Sequence, residues 1–209
     1  LVPEAVYFSK SGEPLNYDYG DGLIDEAYVF DPARQSGAPF IGDRVTALIP
    51  HLDDYLIIGC KRSIWIQRGD PALGATPEAV SREIGVLKQS AWCYTPEGAI
   101  VFMSQDGLYV LDPGSNAAPQ RLSRDRMPQE LVNIDTNLND VLVESDTLRN
   151  GIMISVTRPN PGPTNHFWFG WQLKEFLPDS YASDFEPTAI TSHSISGVGP
   201  RRIILGCRD

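Results

Sequence analysis

Short apolar runs separated by turn residues recur along the chain at nearly constant intervals. Aligned on Leu56, Ile100, Ile152 and Ile203, the runs begin about every 44 to 52 residues. Each run is rich in β-branched residues and follows a polar or glycine-containing turn, a pattern that predicts a short strand. Each unit also contains an earlier first strand, predicted at Val45–Ile49, Ser90–Tyr94, Val141–Glu144 and Thr188–Ser192.

A hairpin follows the apolar run in three of the four units. Strand Ala99–Ser104 leads into Gln105-Asp106-Gly107, where the Asp-Gly pair is expected to supply the positive φ values that a two-residue turn requires. The corresponding turn in the first unit is Lys61–Ser63, and in the third unit Pro159–Thr164 enlarge it. The predicted partner strands are Ile64–Ile66, Leu108–Asp112 and His166–Leu173.

One apolar phrase occurs twice. Ile203–Arg208 (IILGCR) aligns with Leu56–Lys61 (LIIGCK), but only the earlier copy continues into a further strand. The pattern therefore predicts that the sequence is a fragment of a longer protein. An unpaired apolar strand exposes a row of backbone donors and acceptors, so we expect further chain or a neighbouring subunit to cover the last strand.

Repeats of this length with three or four strands are typical of β-propeller blades. We therefore predict an all-β, propeller-like fold with about three full blades and partial blades at both ends, in a single region over residues 1–209. The blade-like units are roughly 45–72, 84–113, 141–173 and 188–209. A β-sandwich of the same strand count is the alternative. The best helical candidate is Thr76–Ile84, in which a threonine precedes a proline at the first helical position.

Charge and composition narrow the classes of function. The formal net charge is −10, which argues against tight nucleic-acid binding, because such binding depends on Lys and Arg at the phosphates. It also argues against docking on an anionic membrane. No apolar stretch approaches the roughly 18 residues that span a bilayer. Cys60, Cys93 and Cys207 lack metal-site spacing and predict free thiols in a reducing compartment.

The sequence carries no motif of a catalytic or metal site. Three histidines, His51, His166 and His193, lie far apart, so structural roles are favoured. The segment Ser104–Tyr109 matches the sialidase Asp-box only in part, since its glycine comes one position early and the Thr-Trp ending is missing. We expect no catalytic residue, no cofactor and no metal. An acidic stretch that lacks calcium-loop spacing is interpreted as a solvated turn; it contains Asp18, Asp21, Asp25 and Glu26.

The aromatic segment His166–Trp171 is the best candidate for a contact surface. Strand alternation places Phe167 and Phe169 on one face and Trp168 on the other. Packing between blades is the favoured role for the segment. An exposed Trp168 or Trp171 is the candidate contact with another subunit or a sugar.

Two stretches resemble virion proteins of tailed bacteriophages. Ala5–Gly22 contains an FS-x-x-G-x-P phrase similar to theirs. Val45–Pro71 resembles their propeller-like region, together with SREIG at Ser81–Gly85 and the later phrase FMSQDGLYVLDP. The family that these phrases resemble is the tail nozzle or tail-hub proteins of short-tailed phages. The resemblance implies β-propeller domains in rings below the portal and adaptor, which conduct the genome during ejection.

The leading hypothesis is a structural, non-enzymatic protein of a phage tail, made in the host cytoplasm and located in the virion. Its expected partners are copies of itself in a ring and neighbouring tail proteins on the adaptor and portal side or in the fibres. One alternative is a phage-borne glycosidase or carbohydrate-binding propeller. Another is a cellular β-propeller that serves as a binding scaffold.

Overall fold

A computed structural model describes residues 5–9, 13–17, 28–30, 41–52, 55–70, 73–115, 117–123, 127–157, 165–179, 187–194 and 201–207. These residues form sixteen strands and one 3-10 turn, Gln129–Leu131. The all-β prediction is confirmed over this part of the chain. None of its helical segments is long and apolar enough to cross a membrane.

The strands of the described residues form five antiparallel sheets, and within each sheet every strand lies beside its neighbour in sequence. Sheet 1 contains β1 (Val6–Phe8) and β2 (Tyr28–Phe30), and sheet 5 contains β15 (Pro187–His193) and β16 (Arg202–Cys207). Sheet 2 contains β3 (Val45–His51), β4 (Tyr55–Cys60), β5 (Ile64–Arg68) and β6 (Glu78–Ser81). Sheet 3 contains β7 (Trp92–Tyr94), β8 (Ile100–Ser104), β9 (Gly107–Leu111) and β10 (Gln120–Arg121). Sheet 4 contains β11 (Asp140–Asp146), β12 (Gly151–Thr157), β13 (Asn165–Gly170) and β14 (Glu175–Asp179).

The predicted first and second strands are confirmed in all four units. Sheets 2, 3 and 4 each carry a fourth strand that the sequence patterns did not predict. The third strand of sheet 4 ends at Gly170 rather than at Leu173, because the chain turns over Trp171–Lys174, with Lys174 at a φ of 54°. The enlarged turn at Pro159–Thr164 lies outside the described residues.

The predicted helix at Thr76–Ile84 is wrong. Glu78–Ser81 is strand β6, which pairs with β5 through Trp65 and Ala79 and through Ile66 and Glu78. A helix of two turns is marginal in water. A strand at this position instead satisfies the backbone groups along the outer edge of β5.

The hairpin between β8 and β9 forms where it was predicted, but with a different turn. Ser104 pairs with Gly107, so the two loop residues are Gln105 and Asp106, and neither has a positive φ. Gly107 opens β9 with a φ of 159°, close to extended backbone. The Asp-Gly pair therefore does not form the centre of the turn. The first-unit turn at Lys61–Ser63 is confirmed, with the Cys60 N–H donating to the Ser63 carbonyl over 2.8 Å.

The chain divides into two compact units, Leu1–Gly85 and Val86–Asp209. In the first unit, sheet 1 packs on sheet 2, with Val6 in one apolar cluster with Ile58 and Trp65. In the second unit, sheets 3 and 4 enclose a larger core that includes Met103, Leu108 and Phe169. All seven residues of β12 are buried. This explains why its sequence reads as a continuous run rather than as an alternating pattern.

The first strands of neighbouring sheets lie side by side in the second unit. β11 contacts β7 on one side and β15 on the other. Ser90, just before β7, joins sheets 3 and 4: its hydroxyl donates to the Val141 carbonyl over 2.7 Å, and its own carbonyl accepts from the Val143 N–H over 3.0 Å. The Lys88 ammonium also reaches the Asp140 carboxylate at 2.9 Å. These contacts join the start of β7 to the start of β11.

Candidate functional site

The repeat alignment identifies three residues at equivalent positions, one each on β7, β11 and β15, the first strands of their units. Ile100, Ile152 and Ile203, which align the units in the sequence, pair across their sheets with Tyr94, Ser145 and Ser192 respectively. These three partners lie near the ends of β7, β11 and β15. Because the first strands run side by side, the three side chains meet in one place.

That place is a cleft of about 490 Å³, which we call the first-strand cleft. Its volume falls within the range of about 300–1,000 Å³ that is usual for small-molecule sites. Hydroxyl groups dominate its walls, with one guanidinium and one phenol ring. The residues that line it are Tyr94, Thr95, Pro96, Gly98, Ser145, Thr147, Ser192 and Arg201.

A carboxylate and a guanidinium of opposite charge lie at the first-strand cleft. Glu144 is half-buried, and burial raises the pKa of its carboxyl. Hydrogen bonds from the Ser145 N–H and the Ser192 hydroxyl, together with the charge of Arg201, act on that pKa in the opposite direction. The Ser145 N–H lies 3.1 Å from Glu144 Oε1. The carboxylate is therefore held beside the cleft by two of its lining residues, Ser145 and Ser192.

Thr147 fixes the chain on the far side of the cleft. Its hydroxyl donates to the Arg201 carbonyl over 3.2 Å and accepts from the Arg201 N–H over 3.1 Å. Arg201 is itself exposed and comes directly before β16. This pair of hydrogen bonds joins sheet 4 to sheet 5 and sets the position of the arginine.

Tyr94 forms the aromatic wall. The residue is 38 % exposed and its ring meets that of Trp92 edge-on, with 5.2 Å between the ring centroids. Thr95 beside it is buried, and its hydroxyl accepts from the Ala99 N–H over 3.1 Å. Both side chains are thus fixed by contacts within sheet 3 and its turn.

Sheet 5 presents a second candidate surface, the outer edge of β16. Within the described residues, β16 pairs with β15 alone, whereas its sequence twin β4 pairs with both β3 and β5. Side chains of β16 alternate between half-buried and exposed, and Ile204 is 50 % exposed. This strand therefore offers unpaired backbone groups and an exposed apolar side chain together.

Trp168 and Trp171, the predicted contact residues, both take part in packing within sheet 4. Trp168 lies on the face opposite Phe167 and Phe169, as alternation predicted, and the Arg149 guanidinium is 5.8 Å from its ring centroid. Trp171 packs on the core edge-on to Phe169, with 6.1 Å between ring centroids. Both tryptophans are only half-buried. Their role at an interface stays a prediction.

The three histidines that were considered from the sequence do not cluster with one another. His51 stacks on Tyr55, His166 lies 2.9 Å from the Ser155 hydroxyl, and His193 ends β15 exposed. Among the described residues, no group of three or more His, Cys, Asp or Glu could hold a metal ion. The acidic stretch with Asp18 and Asp21 lies outside the described residues.

The three cysteines are free in the structure. Cys60 and Cys93 are buried, and burial raises the pKa of Cys60 to about 12. Cys207, which aligns with Cys60 in the repeated phrase, is only half-buried. It ends β16, which pairs with β15 alone in the described residues, whereas β4, which ends at Cys60, has a strand on each side.

Comparison with known proteins identifies no family for the chain. No family model matches and no curated protein matches. One solved structure that the chain matches is the extracellular domain of a putative one-component system from B. thetaiotaomicron, with 14 % identity and a TM-score of 0.47. The match covers 79 % of this chain and 21 % of that one, so this chain spans about a fifth of that protein's length.

Proposed function

We propose that the chain is a structural β-propeller module of a bacteriophage tail, of the nozzle or hub type, which assembles with copies of itself. Sheets 2, 3 and 4 would be full blades, and sheets 1 and 5 would be half blades. The observation that carries the proposal is the outer edge of β16: within the described part of the chain it has one partner strand, whereas β4, which carries the same sequence phrase, has two.

The sheets support a propeller arrangement by their strand order and by their contacts. A blade is a four-stranded antiparallel meander whose first strand lies nearest the axis. Sheets 2, 3 and 4 are meanders of this kind, and β11 lies between β7 and β15. First strands that run side by side are what blades around a common axis require.

The order of strands supports a second copy of the chain as the occupant of the β16 edge. β15 and β16 hold the positions of the first and second strands of their unit, and no third or fourth strand follows them among the described residues. β1 and β2 precede the first strand β3, and therefore hold the sequence position of a third and fourth strand. Strands β15 and β16 of one copy and strands β1 and β2 of the next copy would together form one four-stranded sheet.

The assembly is tested by the mass of the purified chain in solution at increasing concentration. Ile204 would face a side chain of the incoming strand, so Ile204→Lys is expected to raise the dissociation constant about tenfold. Thr191 pairs with Ile204 but lies on β15, away from the added strand, so Thr191→Lys is the matched control. A monomer at all concentrations, or equal losses for the two variants, would contradict assembly through β16.

The tail assignment is tested separately, by mass spectrometry of purified phage particles from the source of the sequence. The proposal predicts that peptides of this chain are found in the particle at a ratio that fits a ring. Their absence from intact particles, with the protein present in the infected cell, would contradict a virion role.

A further inference from the structure

The geometry points to the first-strand cleft as a binding site for a neutral saccharide of one or two sugar units. The cleft is set between the ends of three strands, and its walls are held by hydrogen bonds between sheets. A ligand would therefore meet a preformed surface, and little would have to be ordered on binding.

The hydroxyl groups of the cleft suit a ligand that carries hydroxyl groups itself. Thr95, Ser145, Thr147 and Ser192 contribute one each. The Thr147 and Ser192 hydroxyls already donate to Arg201 and Glu144 and can still accept, whereas the Thr95 and Ser145 hydroxyls can donate as well as accept. Within the described residues the Ser145 hydroxyl has no hydrogen-bond partner, although Ser145 as a whole is only 5 % exposed. It is placed to bond to a group that enters the cleft.

The balance of charge favours a neutral ligand over an acidic one. Arg201 and Glu144 carry opposite charges and act on each other across the site. A sugar carboxylate or phosphate would have to compete with Glu144 for the guanidinium. It would also approach a chain with a net charge of −10. The Arg201 guanidinium, which lines the cleft, can instead donate to sugar hydroxyls.

The Tyr94 ring provides the apolar contact that sugar rings need. A pyranose has faces of C–H groups, and these pack on an exposed aromatic ring whose polar end stays hydrated. The edge-on contact with Trp92 fixes the orientation of Tyr94. Pro96 and Gly98 leave room beside the ring, since both lack a long side chain.

Binding without hydrolysis fits the residues at the cleft. Most glycosidases place two carboxyl groups on opposite sides of the scissile bond, about 5 to 9.5 Å apart. The described lining residues contain no carboxylate, and Glu144 stands beside them as one acidic group already bound to Ser145 and Ser192. Among the residues that the structure describes, the cleft thus has the groups for recognition and no second acid.

The experiment is saturation-transfer NMR on the full chain with maltose, cellobiose, lactose and chitobiose as probes, and glucuronic acid as the charged comparison. At least one neutral disaccharide should receive saturation and bind more strongly than glucuronic acid. Tyr94→Leu and Ser145→Ala should each weaken binding and raise the dissociation constant about fivefold or more. Ser115→Ala is the matched control, because Ser115 is exposed in the loop after β9, outside the residues that line the cleft.

Three results would overturn the inference. The first is no transfer to any of the four neutral probes, and the second is stronger binding of glucuronic acid. The third is unchanged binding in both cleft variants. If Ser145→Ala does not fold, Ser145→Thr takes its place. It keeps the hydroxyl but adds a methyl group that blocks the cleft, so it should also weaken binding. Ile204→Lys should bind the sugar as the unmodified chain does, which separates this site from the assembly edge.

Discussion

Trp168 packs directly on the backbone of Gly151. The indole covers Gly151 and Gly170, which face each other across β12 and β13. A Cβ atom at position 151 would meet the ring and lie 2.5 Å from the Phe169 carbonyl oxygen. Glycine is required there because of this close approach. The turn before it is also set by a single residue, since Asn150 adopts a φ of 54°.

We therefore expect Gly151→Ala to lower the free energy of unfolding by about 1–3 kcal/mol, as is typical when a packed site is overfilled. Gly206→Ala is the control, because a Cβ there would lie 3.4 Å from Ala189 Cβ, an ordinary contact. Urea denaturation of the dilute chain followed by tryptophan fluorescence measures both variants. Equal stability of the two would show that Trp168 moves aside without cost.

The thiols should react in an order set by burial. With a pKa of about 12, Cys60 is a thiolate in roughly one molecule in 10,000 at pH 8. Burial raises the pKa of Cys93 as well, while Cys207 is half-buried on the open strand. Ellman's reagent at pH 8 should find one fast thiol in the dilute folded chain and three after unfolding. Cys207→Ser should remove the fast reaction, and a Cys60–Cys207 disulfide would contradict the fold.

The fourth strands are elements that hydrophobic patterns could not reveal. β6, β10 and β14 carry mostly exposed side chains, and β10 is only two residues long, both exposed. They form because the outer edges of β5, β9 and β13 have backbone groups to satisfy. The strands with buried side chains were predictable for the opposite reason, since β4 and β12 are apolar over most of their length.

The first-strand cleft was hidden from the sequence for a related reason. Ser145 and Ser192 are ordinary polar residues in a strand until the sheets bring them together. The signal was present in the repeat alignment, because each is the cross-strand partner of an aligned isoleucine. Finding the site required the strand register, which the apolar runs alone do not supply.

Ser123 connects the short β10 to the rest of sheet 3. It is buried, and its hydroxyl accepts from the Leu108 N–H over 3.1 Å at the start of β9. Ser123→Ala should lower the free energy of unfolding by about 1 kcal/mol and speed amide exchange in Gln120 and Arg121. The control is Ser115→Ala, which removes an exposed hydroxyl that donates to the Asp112 carbonyl. It should change neither the free energy of unfolding nor the exchange rates. Unchanged exchange in Ser123→Ala would mean that strand pairing alone holds β10.

Across the molecule, the number of strands per sheet differs among the residues that the structure describes. In that part of the chain, sheets 2, 3 and 4 have four strands each, and sheets 1 and 5 have two. An antiparallel pair is marginally stable by itself. Sheet 5 is supported on one side by its contacts with β11 and β12. Its outer edge at β16 is therefore the place where assembly can add stability.

Assembly through the outer edge of β16 is tested most directly by amide hydrogen exchange of Arg202–Cys207. The exchange is measured in the dilute chain and again in the assembled protein. The twin strand Tyr55–Cys60, which has partners on both sides, is the internal reference. An open β16 edge predicts fast exchange of β16 relative to β4 in the dilute chain, and exchange as slow as that of β4 after assembly. A stable monomer in which Ile203, Ile204 and Leu205 are already as protected as their counterparts in β4 would contradict it.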